Sequence, residues 1–204
     1  MGDLKAYLTE KVLLFESDTY SSDTEKVLEN LRRDRTEVPI INVSFCTSSI
    51  IAGSDKTYKA LKSYVEENQS RSLIVKVGCI GPVNFDPVVC IQMPGKNKLF
   101  FRNITEEKVE PLLNGVFHND INEEDLLGQD GSKGFELWPG IAFIHDLPFF
   151  ARQKRVVLGN CGFYDPESIE EYIARGGYRT FVKTIRHYTF DGILLKSILR
   201  VIAI

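Results

Sequence analysis

The stretch that decides the fold is VPIINVSFCTSSIIAGSD, residues 38–55. Its first half is a β-branched apolar run with a proline near its start, which predicts a buried strand over residues 38–45. Its second half leads into a segment whose apolar residues recur at helical spacing, which predicts a helix over residues 55–69. A strand followed by an amphipathic helix is the opening of an α/β unit.

More strand and helix patterns follow this unit. Apolar, β-branched and aromatic runs predict strands over residues 72–79, 87–93 and 98–103, and the turn PGKN at 94–97 joins the last two. Thr105 is placed to cap a closing helix over residues 105–117. A strand, a helix, three strands and a helix, with a right-handed crossover between the first two strands, are typical of a thioredoxin-like domain. The predicted fold class is α/β, with a four-stranded sheet and flanking helices.

Helical patterns dominate the rest of the chain. Before the first strand, two amphipathic segments predict helices, and Ser22 with Glu25 forms a capping box at the second. After a polar stretch, residues 155–158 predict a short strand, and Asp165 is placed to cap a helix that Gly176 and Gly177 end. Outside the central domain we expect helices over residues 3–15, 22–33 and 178–187. We also expect the helix that the two glycines end and a helix in the tail from residue 189 onward.

These patterns predict four regions along the chain. The thioredoxin-like domain occupies residues 38–118 and follows a helical prefix, 1–37. The acidic, glycine-bearing stretch 119–148 has the composition of a solvated linker. Residues 149–204 form the last, mostly helical region.

Composition excludes several classes of function. With 204 residues, 43% hydrophobic and 26% charged, the chain is typical of a globular protein, and its net charge of −3 favours neither nucleic acid nor an anionic membrane as a partner. The N-terminus lacks the apolar core of a secretory signal, which indicates a cytoplasmic protein. The most apolar window, residues 193–204, is too short to span a bilayer and contains Lys196 and Arg200, so we expect no membrane insertion.

The cysteines and histidines show no site pattern. Cys46, Cys79, Cys90 and Cys161 have irregular spacing and no CxxC motif, which argues against both a disulfide framework and a zinc site. We expect most of the thiols to be buried. The three histidines are isolated in the sequence, and no role is assigned to them.

The tract LGNCGFYDPESIEEYIARGGY, residues 158–178, carries a family resemblance that extends without a gap over residues 147–185. It resembles the N-terminal part of the NADH-binding flavoprotein subunit of NADH:quinone oxidoreductase, whose family includes the β subunits of NAD(P)-reducing hydrogenases and NAD-dependent formate dehydrogenases. The resemblance implies a class that moves electrons from NAD(P)H through FMN to iron–sulfur clusters. It also implies that the last region is the start of an FMN- and NADH-binding domain.

The resemblance also implies four ligand positions for an iron–sulfur cluster. Many of these subunits carry a thioredoxin-like ferredoxin domain in which four cysteines hold a [2Fe–2S] cluster. Matching TSSIIAG and CIGPV to that pattern places Ser44, Ser49, Cys79 and Val83 at the four ligand positions. A serine hydroxyl ionises far above neutral pH and valine has no donor atom, so we expect a degenerate domain without a cluster.

The tract itself shows no catalytic pattern. Its carboxylates Glu167, Glu170 and Glu171 are expected to complement a helix dipole, and its paired glycines are expected to stop the helix. In the family, a glycine-rich FMN loop, a nucleotide-binding region and a [4Fe–4S] domain come next. Here no glycine follows Arg200, so we expect no catalytic, cofactor-binding or metal-binding residue and no activity of the chain by itself.

Three functional hypotheses follow, and whether the chain is an enzyme stays open. The first is the N-terminal part of a NADH dehydrogenase or hydrogenase flavoprotein subunit, with other subunits of that complex as partners; a truncated product is preferred over a split subunit. The apolar tail, residues 193–204, is under this hypothesis either a native core helix or the end of a shifted reading frame. The second is a thioredoxin-like docking module of an electron-transfer complex. The third is a ferredoxin that uses Cys46, Cys79 and Cys90 with a serine or an outside ligand.

Overall fold

The structure is a computed structural model that describes residues 3–15, 17, 19–189 and 192. It divides the chain into two compact units, the first drawn from residues 1–34 and 168–204 and the second from residues 35–167. This division differs from the four predicted regions. None of the described helices is long and apolar enough to cross a membrane. The predicted tail helix, from residue 189 onward, lies outside the described residues apart from Thr189 and Gly192.

Eight α-helices are present among the described residues, and a π-helical turn, Thr9–Leu13, extends the first of them. They are α1 Leu4–Leu8, α2 Ser22–Arg32, α3 Thr47–Ile51, α4 Ser54–Glu67, α5 Val109–Phe117, α6 Pro148–Ala151, α7 Ile169–Ala174 and α8 Arg179–His187.

The second unit contains a five-stranded sheet in the order β2-β1-β3-β4-β5. The central strand β1 pairs with β2 in parallel and with β3 antiparallel, and the remaining pairings are antiparallel. The predicted α/β class and the strand–helix–three strands–helix order of a thioredoxin-like domain are confirmed. The strands are β1 Ile40–Ser44, β2 Leu73–Val77, β3 Val89–Gln92, β4 Leu99–Phe101 and β5 Leu126–Gln129.

Alternate residues of the sheet pack into two separate cores, as the twofold period of a strand requires. Leu99 and Phe101 of β4 belong to the core that includes Leu61 of α4 and Leu113 of α5. Phe100, between them, belongs to the opposite core with Cys90 and other apolar residues. Both faces of the sheet are therefore buried at its central strands β1, β3 and β4.

The prediction of a linker over residues 119–148 is wrong, because this segment contains the fifth strand. Gln129, only 2% exposed, holds the segment in place: its side-chain amide donates to the carbonyls of Trp138 (3.0 Å) and Ile141 (2.7 Å) and accepts from the Trp138 N–H (2.9 Å). Gly128 has φ +138° and lies so close to the Ala142 carbonyl that a Cβ would be 2.6 Å from it. A short strand with polar flanks and a glycine lacks the usual strand signal.

Two further local predictions are corrected. The predicted strand over residues 155–158 is absent: a bend at Val156 and a turn at Val157 and Leu158 take its place, and no strand of the described residues is paired with them. Helix α7 begins after Ser168 instead of Asp165, and the Ser168 hydroxyl accepts a hydrogen bond from the Glu171 N–H at 3.2 Å. The predicted stop is confirmed: α7 ends at Ala174, just before the paired glycines.

The first unit has its own small core. Leu8, Val12 and Leu28 from the N-terminal segment pack in one cluster with Ile173 and Ala174 of α7. Tyr20 and Leu31 cover this cluster at its margin. The amphipathic helices at the two ends of the chain thus bury their apolar faces against each other.

A buried ion pair lies beside that core. The Arg33 guanidinium donates two parallel hydrogen bonds to the Glu171 carboxylate, one of them at 2.7 Å, and both side chains are 11% exposed. Glu171 was expected only to complement the helix dipole. It instead joins α7 to the end of α2, in the bidentate geometry that gives strong guanidinium–carboxylate pairs.

We predict that Glu171→Gln lowers the free energy of unfolding by about 3 kcal/mol, since the largely buried Arg33 guanidinium loses the negative charge that faces it. Urea unfolding followed by circular dichroism measures the change. Glu167→Gln is the matched control because Glu167 is exposed, and it should shift stability by less than about 0.5 kcal/mol. Equal stability of the two variants would contradict a structural role for the ion pair.

Candidate functional site

Two cysteines and a buried aspartate of the second unit lie together at one edge of the sheet. Because β1 and β2 are parallel, both end at this edge, and because β3 is antiparallel to β1 it begins there. Cys46 follows β1, Cys79 follows β2, and Asp86 precedes β3. Their two sulfur atoms and a carboxylate oxygen all lie within 4.8 Å of one another.

The Asp86 carboxylate is buried, with a relative exposure of 7%. Its Oδ2 accepts a hydrogen bond from the Ser48 hydroxyl at 2.7 Å, and its Oδ1 accepts one from the Ser44 hydroxyl at 3.3 Å. Ser44 is itself held, because its Oγ accepts the Val88 N–H at 2.9 Å. The hydroxyls fix the orientation of the carboxylate.

The two thiols have different environments. The Cys46 sulfur lies 3.2 Å from the Ser48 hydroxyl and accepts a hydrogen bond from the Ser49 hydroxyl at 3.3 Å. Burial opposes ionisation of this thiol, but the serine hydrogen bonds outweigh burial and lower its pKa. Burial raises the pKa of the Cys79 thiol, although its sulfur accepts the Gly81 N–H at 3.2 Å.

The four positions at which the resemblance places cluster ligands do not form a common donor set. Ser44 and Ser49 are almost fully buried and use their hydroxyls to hold Asp86 and Cys46. Val83 is 62% exposed in a short 3-10 turn and has no donor atom. Only Cys79 belongs to the thiol–carboxylate group, which consists of Cys46, Cys79 and Asp86. These residues do not fit a [2Fe–2S] cluster, which needs four soft donors.

Cys90, a ligand in the ferredoxin hypothesis, lies elsewhere. It is 3% exposed within the core of β3, and it is not a member of the thiol–carboxylate group. Burial raises its pKa to about 12. It therefore behaves as a small apolar core residue.

Sequence reasoning missed the grouping of Cys46 with Asp86. The spacing of the cysteines carries no metal pattern, and Asp86 forms no recognised ligand motif with Cys79 or Cys90, the cysteines on either side of it in the sequence. One signal was present: both cysteines directly follow predicted strands that are joined by a helix, and parallel strands end at a common edge. The tract over residues 158–178 contributes no residue to this group.

No family model matches this sequence. Among solved structures, the chain is similar to the thioredoxin-like [2Fe–2S] ferredoxin from Aquifex aeolicus, with 14% identity over 50% of this chain and 100% of that chain and a TM-score of 0.39. A cysteine-to-serine variant of that ferredoxin gives 15% identity over 43% of this chain and 95% of that chain, with a TM-score of 0.37. Similarity at this level bears on no cofactor or function of this chain. The fold assignment rests on the strand order and pairing described above.

We predict that Cys90 destabilises the fold in alkali. Its folded pKa of about 12 exceeds the ordinary thiol value of 9.0, so its contribution to stability is full below pH 9 and is lost as the pH rises towards 12. The free energy of unfolding of the native chain should therefore fall more steeply across this window than that of Cys90→Val. Parallel slopes for the two proteins would show that Cys90 is not the titrating group.

Proposed function

We propose that this chain corresponds to the N-terminal part of a flavoprotein subunit of the class that passes electrons from NAD(P)H through FMN to iron–sulfur clusters. Within such a NADH dehydrogenase or hydrogenase complex it serves as a docking module and carries no cluster of its own. Residues 147–185 carry the resemblance to this family. The thioredoxin-like fold of the second unit is compatible with it.

The observation that carries the proposal is a run of exposed apolar residues inside the resembling tract. Val156, Val157 and Leu158 follow one another in a turn and are 76%, 92% and 56% exposed. Single exposed apolar residues are common on protein surfaces, but three in succession favour a surface that another protein covers. In the resembling family this tract leads into the flavin-binding part, so we assign the flavin-binding polypeptide as the partner.

The residues at the expected ligand positions favour a docking role for the second unit over a role in electron transfer. Ser44 and Ser49 use their hydroxyls in internal hydrogen bonds, and Val83 offers no donor. A cluster held by Cys79 alone among these positions would lack three of its four protein ligands.

The proposal is tested with a polypeptide that carries the glycine-rich FMN loop and nucleotide-binding region of a flavoprotein subunit of this class. We predict that the native chain binds it and that Val156→Ser/Val157→Ser weakens the complex about 100-fold. Burying two valines is worth about 3 kcal/mol in total, and about 1.4 kcal/mol corresponds to a tenfold change in Kd. Calorimetric titration measures the affinity.

Ile51→Ser is the matched control, because Ile51 is 82% exposed but lies on α3, outside the resembling tract. It should bind like the native chain. The absence of any complex with the native chain, or equal weakening by the control, would refute the assigned docking surface.

A further inference from the structure

Among the described residues, the thiol–carboxylate group of Cys46, Cys79 and Asp86 has no cation paired with its carboxylate. No lysine, arginine or histidine forms an ion pair with Asp86 in the part of the chain that the structure describes. Lys76, on the neighbouring strand β2, lies over the ring of Phe45 instead, at 4.1 Å from its centre. Buried charges in proteins are paired with an opposite charge or coordinate a metal ion. The unpaired carboxylate beside two thiols therefore points to a cationic ligand.

We infer that Cys46, Cys79 and Asp86 bind one thiophilic divalent cation, with Zn²⁺ as the expected ion. This inference does not depend on the proposed docking function. Its ligand set also differs from the four positions that the family resemblance assigns to a cluster.

The geometry allows such a site after a small rearrangement. The three donor atoms lie within 4.8 Å of one another, whereas a tetrahedral ion with Zn–S bonds of ~2.3 Å needs sulfurs about 3.8 Å apart. Neither cysteine is fully buried, and rotation of their side chains can supply the difference. Three protein donors leave the fourth tetrahedral position to a water molecule.

The surrounding hydroxyls resemble the outer partners of a metal site. Ser48 donates to the Asp86 carboxylate and contacts the Cys46 sulfur, so it orients two of the three donors. Hydrogen bonds of this kind fix metal-binding carboxylates in other proteins. Ser48 is therefore assigned as a positioning residue.

The donor types select the metal. Thiolates favour Zn²⁺ and other soft ions over Mg²⁺ and Ca²⁺, which need sites made of oxygen atoms. Zn²⁺ accepts four-coordinate sites that mix cysteine and aspartate donors. The sequence showed no zinc spacing because its three donors come from separate loops.

The test uses the full chain, reduced and freed of metal by a chelator. Co²⁺, a spectroscopic substitute for Zn²⁺, is titrated in under anoxic conditions, and Zn²⁺ is then added against a competing chelator. We expect one ion per chain, with thiolate-to-cobalt charge-transfer absorption that Zn²⁺ abolishes. Cys46→Ser, Cys79→Ser and Asp86→Asn should each weaken Zn²⁺ binding at least about 100-fold, and Ser48→Ala about 10-fold.

Cys161→Ser is the control, because Cys161 is not a member of the group. It should bind Zn²⁺ like the native chain. Circular dichroism of every metal-free variant separates loss of the site from loss of the fold. Failure of the native reduced chain to bind Co²⁺, binding without the charge-transfer band, or equal affinity of Cys46→Ser and Cys161→Ser would overturn the inference. The inference would also be overturned if Cys46 and Cys79 form a disulfide and their thiols, after its reduction, do not bind Zn²⁺.

Discussion

The position of β1 between a parallel and an antiparallel neighbour is the constraint on which the second unit depends. Every residue of β1 is buried, and the strand is hydrogen-bonded on both sides, so its register cannot slip without exposing the core. Parallel pairing brings the ends of β1 and β2 to one edge, and antiparallel pairing brings the start of β3 to the same edge. The loops at this edge carry both thiols and the buried carboxylate.

Serine hydroxyls at this edge form hydrogen bonds with the buried carboxylate and with a thiol. Ser44 links Asp86 to the backbone of the strand that follows it, and Ser49 supports the Cys46 sulfur. Hydroxyls at these positions are poor ligands for iron but good hydrogen-bond donors to a carboxylate and a thiolate. Two of the four positions that the resemblance assigns to a cluster, Ser44 and Ser49, therefore support Asp86 and Cys46 by hydrogen bonds.

The tract that carries the family resemblance has two physical roles. Its helical part contributes Ile173 and Ala174 to the core of the first unit, and Glu171 pairs with Arg33 there. Its preceding turn leaves three successive apolar side chains in solvent. The first role explains the acidic helix without any catalysis, and the second is the basis for assigning a protein partner.

The sequence alone determined the elements whose signals are local. Apolar periodicity located β1 to β4, α4 and α5 to within a few residues, and the paired glycines located the end of α7. The fifth strand was missed because its stability comes from pairing with β4 and from the buried hydrogen bonds of Gln129 to the loop that follows the strand. The same limit applies to Glu171, whose partner Arg33 is 138 residues away, and to Asp86 beside Cys46 and Cys79. Spacing along a chain reports which face of an element is apolar, whereas only the sheet order decides which loops meet.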